Sequence, residues 1–226
     1  RFVDPIFGLN RDHLFRLAEL IGRMAHEIQF SVQTRIDLMP PEVLRILRRA
    51  GLCSVSVGIE TPDAELLDRH GRVSEVADRQ LGFIARCRRM GIRTTAGFMI
   101  GFPEDTEDSI RAVGEHARLL GPTFADFRLV TPYPGTQFTR RIGDRIIRRG
   151  FSRYTSHTPL IECEHLGSQD LERLQAECYS RYYLRPRYLL DNGPLLWPAL
   201  GGLGLGRRKE QKPSGDPAHD GPPRPM

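Results

Sequence analysis

Residues 28–35 read Ile-Gln-Phe-Ser-Val-Gln-Thr-Arg, and residues 53–60 read Cys-Ser-Val-Ser-Val-Gly-Ile-Glu. Both stretches alternate apolar with polar side chains over the length of a β-strand. A strand that is covered by helices on both faces is apolar almost throughout, so this alternation predicts strands with helices on one face only. The polar side chains of these strands then line an interior that can hold a ligand.

Segments of this kind recur along the chain and alternate with amphipathic helices. We predict a strand that ends near residue 4, strands over 28–35, 53–60, 93–101 and 124–131, and helices over 11–26, 75–91, 106–120 and 168–184. Pro40 and Pro41 open another helix, and Thr61 is the predicted cap of a further one. The simplest fold for alternating strands and helices is a set of parallel strands joined by right-handed helical crossovers. The sequence therefore predicts a barrel-like α/β wall.

Length and charge limit the classes of function. A chain of 226 residues builds one core with extensions, and its net charge of +5 comes from arginines spread over the helices rather than from a basic block. We therefore predict no nucleic-acid partner. No apolar run reaches the roughly 20 residues that span a bilayer, so we predict a cytoplasmic protein without a membrane partner.

The four cysteines, Cys53, Cys87, Cys163 and Cys178, are far apart and form no Cys-x-x-Cys pair. We interpret Cys53, Cys87 and Cys178 as buried reduced thiols, since they lie in the apolar phases of a strand and of helices. Cys163 is predicted to be more open, with a pKa that its flanking carboxylates raise. The spacing offers no local zinc or iron–sulfur motif.

The chain changes character after residue 150. A loop-rich stretch leads to helix 168–184 with Ser168 as its predicted cap, and residues 182–188 are rich in tyrosine and arginine. This run is typical either of a closing helix whose rings pack on the barrel or of a nucleic-acid surface. We predict a barrel over 1–150, a helical extension over 151–195 and a disordered tail over 196–226, where glycine, proline and charged residues dominate.

Ligands bind to a wheel of parallel strands where the carboxyl ends of the strands converge. The residues predicted at these ends are Asp4, Arg35, Glu60, the segment 97–101, Thr131 and Tyr133. Arg35 and Glu60 form either a mutual ion pair or a binding site for a zwitterionic ligand. Gly97 and Gly101 permit either the close approach of a flat ring or the packing of a helix on the strand.

Five short motifs lie at these positions in a fixed order. They are Phe-Val-Asp at 2–4, Gln-Thr-Arg at 33–35, Gly-Ile-Glu-Thr at 58–61, Gly-Phe-Met-Ile-Gly-Phe-Pro-Glu-Asp-Thr at 97–106 and Thr-Pro-Tyr-Pro-Gly-Thr at 131–136. In combination the chain resembles the radical S-adenosylmethionine (SAM) family, in the branch that often carries an upstream cobalamin-binding domain. The resemblance implies a partial TIM-like (β/α)6 barrel that lacks its N-terminal strands and has a C-terminal helical extension.

The resemblance also implies a reaction and its cofactors. In this family an electron from a [4Fe-4S] cluster cleaves SAM, and the resulting 5′-deoxyadenosyl radical abstracts a hydrogen atom from the substrate. The implied cofactor-binding positions are Asp4, Gln33, Arg35, Glu60, Gly97, Ile100, Gly101, Thr131 and Tyr133. Asp4 would lie near the methionyl amine of SAM, Arg35 near its carboxylate and Glu60 near the ribose or methionyl group. The segment 97–101 would flank the adenine.

Partners follow from the same resemblance. It implies a small-molecule or peptide substrate and a reductant protein such as flavodoxin or ferredoxin. Cobalamin is a further cofactor in the branch that the motifs resemble.

The chain departs from the family at the cluster. The family's Cys-x3-Cys-x2-Cys ligands follow the first strand, whereas this chain opens on Arg1 at about the end of the second strand. We therefore expect the C-terminal part of a radical SAM enzyme, inactive alone, with an exposed strand edge where the missing strands would pair. The alternatives are a non-catalytic binding or scaffold protein with this fold, and an RNA-modifying relative such as a methylthiotransferase.

Overall fold

The computed structural model describes residues 1–200 apart from 25, 27, 72–74 and 149, with side chains up to residue 193. The sheet has four parallel strands in the order β1 (Phe30–Thr34), β2 (Leu52–Glu60), β3 (Arg93–Ile100) and β4 (Phe124–Leu129). Each strand pairs with the next strand of the chain, so every crossover moves one step along the sheet. This order is one wall of a (β/α) barrel, as predicted.

In the part of the chain that the structure describes, one α-helix precedes β1, four lie between the strands and three follow β4. They are α1 (Arg11–Gly22), α2 (Pro41–Arg49), α3 (Ala64–Arg69), α4 (Ala77–Arg89), α5 (Glu107–Leu120), α6 (Gln137–Arg141), α7 (Ser168–Tyr183) and α8 (Pro186–Leu200). The predicted α/β class is confirmed, and the first helix ends earlier than predicted, at Gly22. Among the described residues, none of these helices combines the length and the apolar character that a bilayer span requires.

The alternation of the strands sets the two faces of the sheet. Its apolar phase, which includes Val32, Val57, Phe98 and Phe127, is buried in the main hydrophobic core under the helices. The opposite phase is exposed or half-buried over most of its length. The prediction of helices on one face and a polar surface on the other is therefore confirmed.

Cys53 does not follow the predicted phase. The register shifts at the start of β2, where Phe30 pairs with Leu52 but Ser31 pairs with Ser54. Leu52 takes the buried position, and Cys53 is left half-exposed in the bulge. The prediction that Cys53 is a buried thiol is therefore wrong.

The first predicted strand is also absent. Residues 1–4 have no regular secondary structure, and one backbone hydrogen bond from Phe2 N to Ser31 O (3.0 Å) attaches this segment beside β1. A second bond runs from Phe7 N to Gln33 O (2.8 Å). The segment follows the edge of β1 without the repeated ladder that would make it a strand.

Two predicted helix caps are wrong. The side chain of Asp63 accepts the hydrogen bond from Leu66 N (2.9 Å), so Asp63 and not Thr61 caps α3. Thr61 instead accepts a hydrogen bond from the amide of Asp63 (3.3 Å). Ser168 is the first residue of α7, and Gly167 precedes it at the cap position. In both cases the helix starts one or two residues from the predicted position.

The C-terminal helices complete the main core. Leu171, Leu174, Cys178 and Tyr182 of α7 are buried, and α7 packs on α5 and β4. The tyrosine-rich run therefore packs on the sheet, which was the first of its two interpretations. Helix α8 continues past the predicted boundary at 195, and residues 201–226 of the predicted tail lie outside the described residues.

Candidate functional site

The candidate site lies on the open face of the sheet towards the carboxyl ends of the strands. Gly58 of β2 lies in register with Gly97 of β3, which in turn lies in register with Asp126 of β4. Two adjacent glycines, which have no side chains of their own, form a trough across the centre of the sheet. A Cβ atom at Gly97 would meet only the Val57 carbonyl oxygen, at 3.8 Å, so helix packing does not account for this glycine.

Glu60 carries the most unusual backbone of the site. Its φ of 68° is in the left-handed region, which residues other than glycine rarely adopt. With this backbone, the Glu60 carboxylate lies over Gly58. A Cβ atom at Gly58 would lie 3.0 Å from Glu60 Oε1, which is tighter than nearly all real contacts. Gly58 therefore leaves room for a carboxylate that is held over the trough by a strained backbone.

Arg35 is positioned by Asp37. Its Nε donates to Asp37 Oδ1 (3.0 Å) and its terminal nitrogen donates to Asp37 Oδ2 (2.8 Å), which fixes the plane of the guanidinium group. The Arg35–Glu60 ion pair offered as one alternative is not the pairing that Arg35 adopts. Gln33 is exposed on the open face of β1, and Asp4 is exposed in the segment beside it.

The loop after β3 is held by a buried carboxylate. Asp105 Oδ2 accepts hydrogen bonds from Gly101 N (2.7 Å) and Phe102 N (2.8 Å), and Oδ1 accepts one from Ser109 Oγ (2.6 Å). Burial raises the pKa of Asp105 above its ordinary value. Gly101 has a φ of 81°. The loop therefore has one fixed conformation, set by a side chain that was not among the predicted site residues.

Helix packing accounts for Gly101. A Cβ atom there would lie 3.2 Å from a Leu129 methyl group and 3.6 Å from Leu171 of α7. Of the two alternatives given for the glycines, close approach of a ligand fits Gly97, whereas packing fits Gly101.

The remaining predicted residues contribute in different ways. The side chain of Ile100 is fully buried in the main core, so only its main chain borders the site, and its carbonyl accepts a hydrogen bond from Val130 N (2.9 Å). Thr131 is buried, and its hydroxyl donates to Leu129 O (3.2 Å). Tyr133 lies at the rim and is 52% exposed.

Asp126 is a site residue that the sequence did not reveal. Its Oδ2 accepts a hydrogen bond from Arg128 Nε (2.6 Å), and its Oδ1 accepts one from the Tyr179 hydroxyl (2.9 Å). This ion pair lies beside Gly97 on the open face of β4. In the sequence, only the position of Asp126 among the polar side chains of β4 pointed to this role. Its partner Tyr179 is 53 residues away in the chain.

Three of the four thiols are buried and are therefore poor candidates for ligands of an iron–sulfur cluster. Burial raises the pKa of Cys87 and of Cys163 to about 12 and that of Cys178 to about 11. Cys163 is buried, contrary to the predicted openness, and Asp105 and Glu104 contribute to the rise in its pKa after burial. Within the described part of the chain, no three His, Cys, Asp or Glu side chains come together as metal ligands.

The fold and this end of the sheet define a class, the α/β barrel-type proteins that bind ligands at the carboxyl ends of their strands. The chain belongs to the radical SAM superfamily, whose sequence model matches residues 4–117, just over half of the chain. The predicted resemblance is thereby confirmed. The match begins at Asp4 and includes the open-face positions of β1, β2 and β3.

Two curated relatives match most of the chain. It is 26% identical over 200 residues to bacteriochlorophyllide d C-12(1)-methyltransferase from Chlorobaculum tepidum, covering 87% of this chain and 43% of the relative. It is 24% identical over 183 residues to the anaerobic magnesium-protoporphyrin IX monomethyl ester cyclase of Rubrivivax gelatinosus, covering 80% and 33%. The chain spans less than half the length of the curated relatives that it matches.

A solved structure shares the fold. The radical SAM methyltransferase TsrM from Kitasatospora setae, solved with cobalamin and a [4Fe-4S] cluster bound, superimposes with a TM-score of 0.54. The two chains are 23% identical, and the match covers 66% of this chain and 29% of TsrM. It supports the partial barrel architecture.

Proposed function

We propose that this chain is the C-terminal part of a radical SAM enzyme that cleaves SAM reductively and carries out methyl transfer or ring closure. The match to the superfamily model is the observation that carries this proposal. The relatives named as a methyltransferase and a cyclase supply the two reaction types. Both of these relatives act on conjugated tetrapyrroles according to their names, and we propose a conjugated ring substrate here also.

The residues of the open face fit SAM. The trough at Gly58 and Gly97 can accept a flat adenine ring, and the Glu60 carboxylate above it can accept hydrogen bonds from a ribose hydroxyl or an ammonium group. Arg35, with its plane fixed by Asp37, is exposed and suited to the methionyl carboxylate. These residues bind and orient SAM.

The proposed reaction also needs a [4Fe-4S] cluster, a source of electrons and, for methyl transfer, cobalamin. Because the chain spans less than half the length of the two relatives named above, we propose that the ligands of the [4Fe-4S] cluster lie in the rest of the protein. Cobalamin would supply methyl transfer in the branch that the motifs resemble, and a flavodoxin or ferredoxin would supply electrons. The alternative is a non-catalytic scaffold protein, which the following experiment distinguishes from an enzyme.

The test uses the native gene product that contains this chain, purified without oxygen and reduced with dithionite. We expect 5′-deoxyadenosine to form from SAM, and S-adenosylhomocysteine to form in addition if the reaction is methyl transfer. Glu60→Gln should raise the SAM concentration needed for half-maximal rate about tenfold or more, because it weakens a charged hydrogen bond. Glu172→Gln, on an exposed face of α7, is the matched control. An iron-loaded protein that forms neither product would support the scaffold alternative.

A further inference from the structure

Three aromatic rings meet at the rim of the site, beyond the end of β4. Tyr133 stacks on Tyr154 with ring centroids 5.9 Å apart and an interplanar angle of 24°, and Phe151 packs on Tyr154 at 5.7 Å. Tyr133 is 52% exposed and Phe151 is 81% exposed. We call Tyr133, Phe151 and Tyr154 the rim platform. Grouped aromatic surface left open to water at the mouth of a site marks a binding surface.

The platform is rooted in a small second core. Tyr154 packs against a buried cluster that includes Phe102 and Val130, and Met99 on the open face of β3 packs against the same cluster. The apolar surface therefore continues from the wall of the trough to the rim. A ligand on the platform would lie next to SAM bound in the trough.

A strained residue fixes the loop that carries two of the three rings. Ser156 has a φ of 63°, and its carbonyl accepts a hydrogen bond from Leu129 N (2.8 Å) at the outer edge of β4. Residues other than glycine adopt this conformation only where the surrounding structure enforces it, and such strain is concentrated at functional sites. The loop that carries Phe151 and Tyr154 is thus held at a defined position against the sheet.

We propose that the rim platform binds the flat conjugated ring of the substrate by stacking, which rests on the radical SAM function proposed above. Tyr133 stacks on Tyr154 and Phe151 is tilted by 46° to Tyr154, so the three rings offer separate contacts rather than one plane. An extended ring system, such as the tetrapyrroles in the names of the two relatives, can reach more than one of these contacts, which a single nucleobase cannot. Arg153, exposed between Phe151 and Tyr154, provides a cation for an acidic substituent on that ring. The substrate class assigned to the platform is an acidic conjugated macrocycle.

The binding test uses magnesium protoporphyrin IX monomethyl ester as the probe and the native gene product as the protein, with the shift of the porphyrin absorption band as the signal. Phe151→Ser should weaken binding about 3- to 10-fold, as loss of one aromatic contact predicts, and Phe151→Trp should restore it. Leu119→Ser, at a site 69% exposed near the C-terminal end of α5, removes similar apolar surface elsewhere and should leave binding unchanged.

An equal loss of porphyrin affinity in the Phe151→Ser and Leu119→Ser variants, or no loss in either, would contradict the proposal that the rim platform binds the substrate. Salt-sensitive binding of oligouridylate that Phe151→Ser abolishes, without porphyrin binding, would also overturn it and would favour an RNA substrate. The SAM-cleavage assay separates the two proposals. If porphyrin binding depends on Phe151 but SAM is not cleaved, the rim platform is supported and the proposed reaction is wrong. If SAM is cleaved but porphyrin binding does not depend on Phe151, the proposed reaction is supported and the rim platform is wrong.

Discussion

Glu60 combines a strained backbone with a proposed role in binding SAM. A left-handed conformation costs a residue other than glycine about 1 to 2 kcal/mol, yet it places the carboxylate over Gly58 at the centre of the trough. A merely structural turn at this position would be served better by glycine. We therefore expect the Glu60 carboxylate to take part in the proposed binding of SAM.

Two substitutions at Glu60 separate strain from chemistry. Glu60→Ala and Glu60→Gly both remove the carboxylate, and both should weaken SAM binding equally. Glu60→Gly should be the more stable of the two by about 1 kcal/mol, because glycine adopts the left-handed conformation without strain. Urea denaturation gives the stability and equilibrium dialysis with SAM gives the affinity. Equal stability of the two variants would show that the backbone at this position is relaxed.

Asp105 is the residue whose loss should most damage the loop after β3. Asp105→Ala leaves the buried amides of Gly101 and Phe102 without their acceptor, whereas the Ser109 hydroxyl keeps its hydrogen bond to Thr106 O (3.0 Å). We expect the free energy of unfolding to fall by about 2 to 4 kcal/mol, since each buried unsatisfied donor costs about 1 to 3 kcal/mol. Asp108→Ala, at an exposed position in the first turn of the same helix, should cost less than about 1 kcal/mol. Similar losses in both variants would mean that the three bonds to Asp105 are weak.

The four thiols should differ in reactivity. Burial raises the pKa of Cys87, Cys163 and Cys178, so these thiols are protonated at neutral pH, whereas Cys53 is half-exposed in its bulge. Brief iodoacetamide treatment of the folded protein at pH 7.5 should modify Cys53 first. Mass spectrometry of the digested protein identifies the modified residue, and urea-unfolded protein is the control. Early modification of Cys163 would show that its segment opens readily.

The outer edge of β4 is closed by side chains rather than by another strand. The Tyr183 hydroxyl accepts a hydrogen bond from Ala125 N (3.0 Å) and donates to Ala125 O (2.8 Å), and the Tyr179 hydroxyl accepts from Phe127 N (3.1 Å). Gln175 donates to Phe127 O (2.7 Å). One face of α7 therefore meets the hydrogen-bonding groups of an edge that would otherwise be open to pairing with another chain.

Removing one hydroxyl tests this closure. Tyr183→Phe keeps the ring but leaves both main-chain groups of Ala125 without their partner, which should lower the free energy of unfolding by about 1 to 3 kcal/mol. Tyr133→Phe, at the half-exposed rim, should change it by less than about 0.5 kcal/mol. Both values come from urea denaturation. A neutral Tyr183→Phe substitution would indicate that water replaces the hydroxyl at this edge.

The sequence predicts those strands and helices whose apolar residues recur at a regular spacing. Alternation over 28–35 and 53–60 identifies two strands and the polar face, and the apolar spacing of α4 and α5 identifies those helices. Contacts between distant segments leave no such pattern. The pairing of Asp126 with Tyr179 and the closure of the β4 edge join residues that are 48 to 58 positions apart. The bulge at Cys53 was missed because a register shift depends on the neighbouring strand.

At the scale of the whole molecule, one core joins the predicted barrel and the predicted extension. Leu171, Leu174, Cys178 and Tyr182 of α7 and Tyr188 of α8 belong to the same buried cluster as the strands. Burying a large apolar side chain contributes about 1.5 to 3 kcal/mol, so these five together contribute on the order of 10 kcal/mol. A typical domain has a net stability of about 5 to 15 kcal/mol. The boundary predicted at residue 150 is therefore not expected to separate two folding units.

Shortening the chain tests whether the extension is part of the folding unit. A chain that ends after residue 167 loses α7 and α8, which exposes the apolar face of the sheet and the edge of β4, and we expect it to aggregate or remain unfolded. A chain that ends after residue 200 keeps α7 and α8 and should unfold in one cooperative transition. Circular dichroism during heating and gel filtration measure both properties. Cooperative melting of the shorter chain would show that residues 1–167 fold alone, and α7 would then be an addition to a complete wall rather than its closing element.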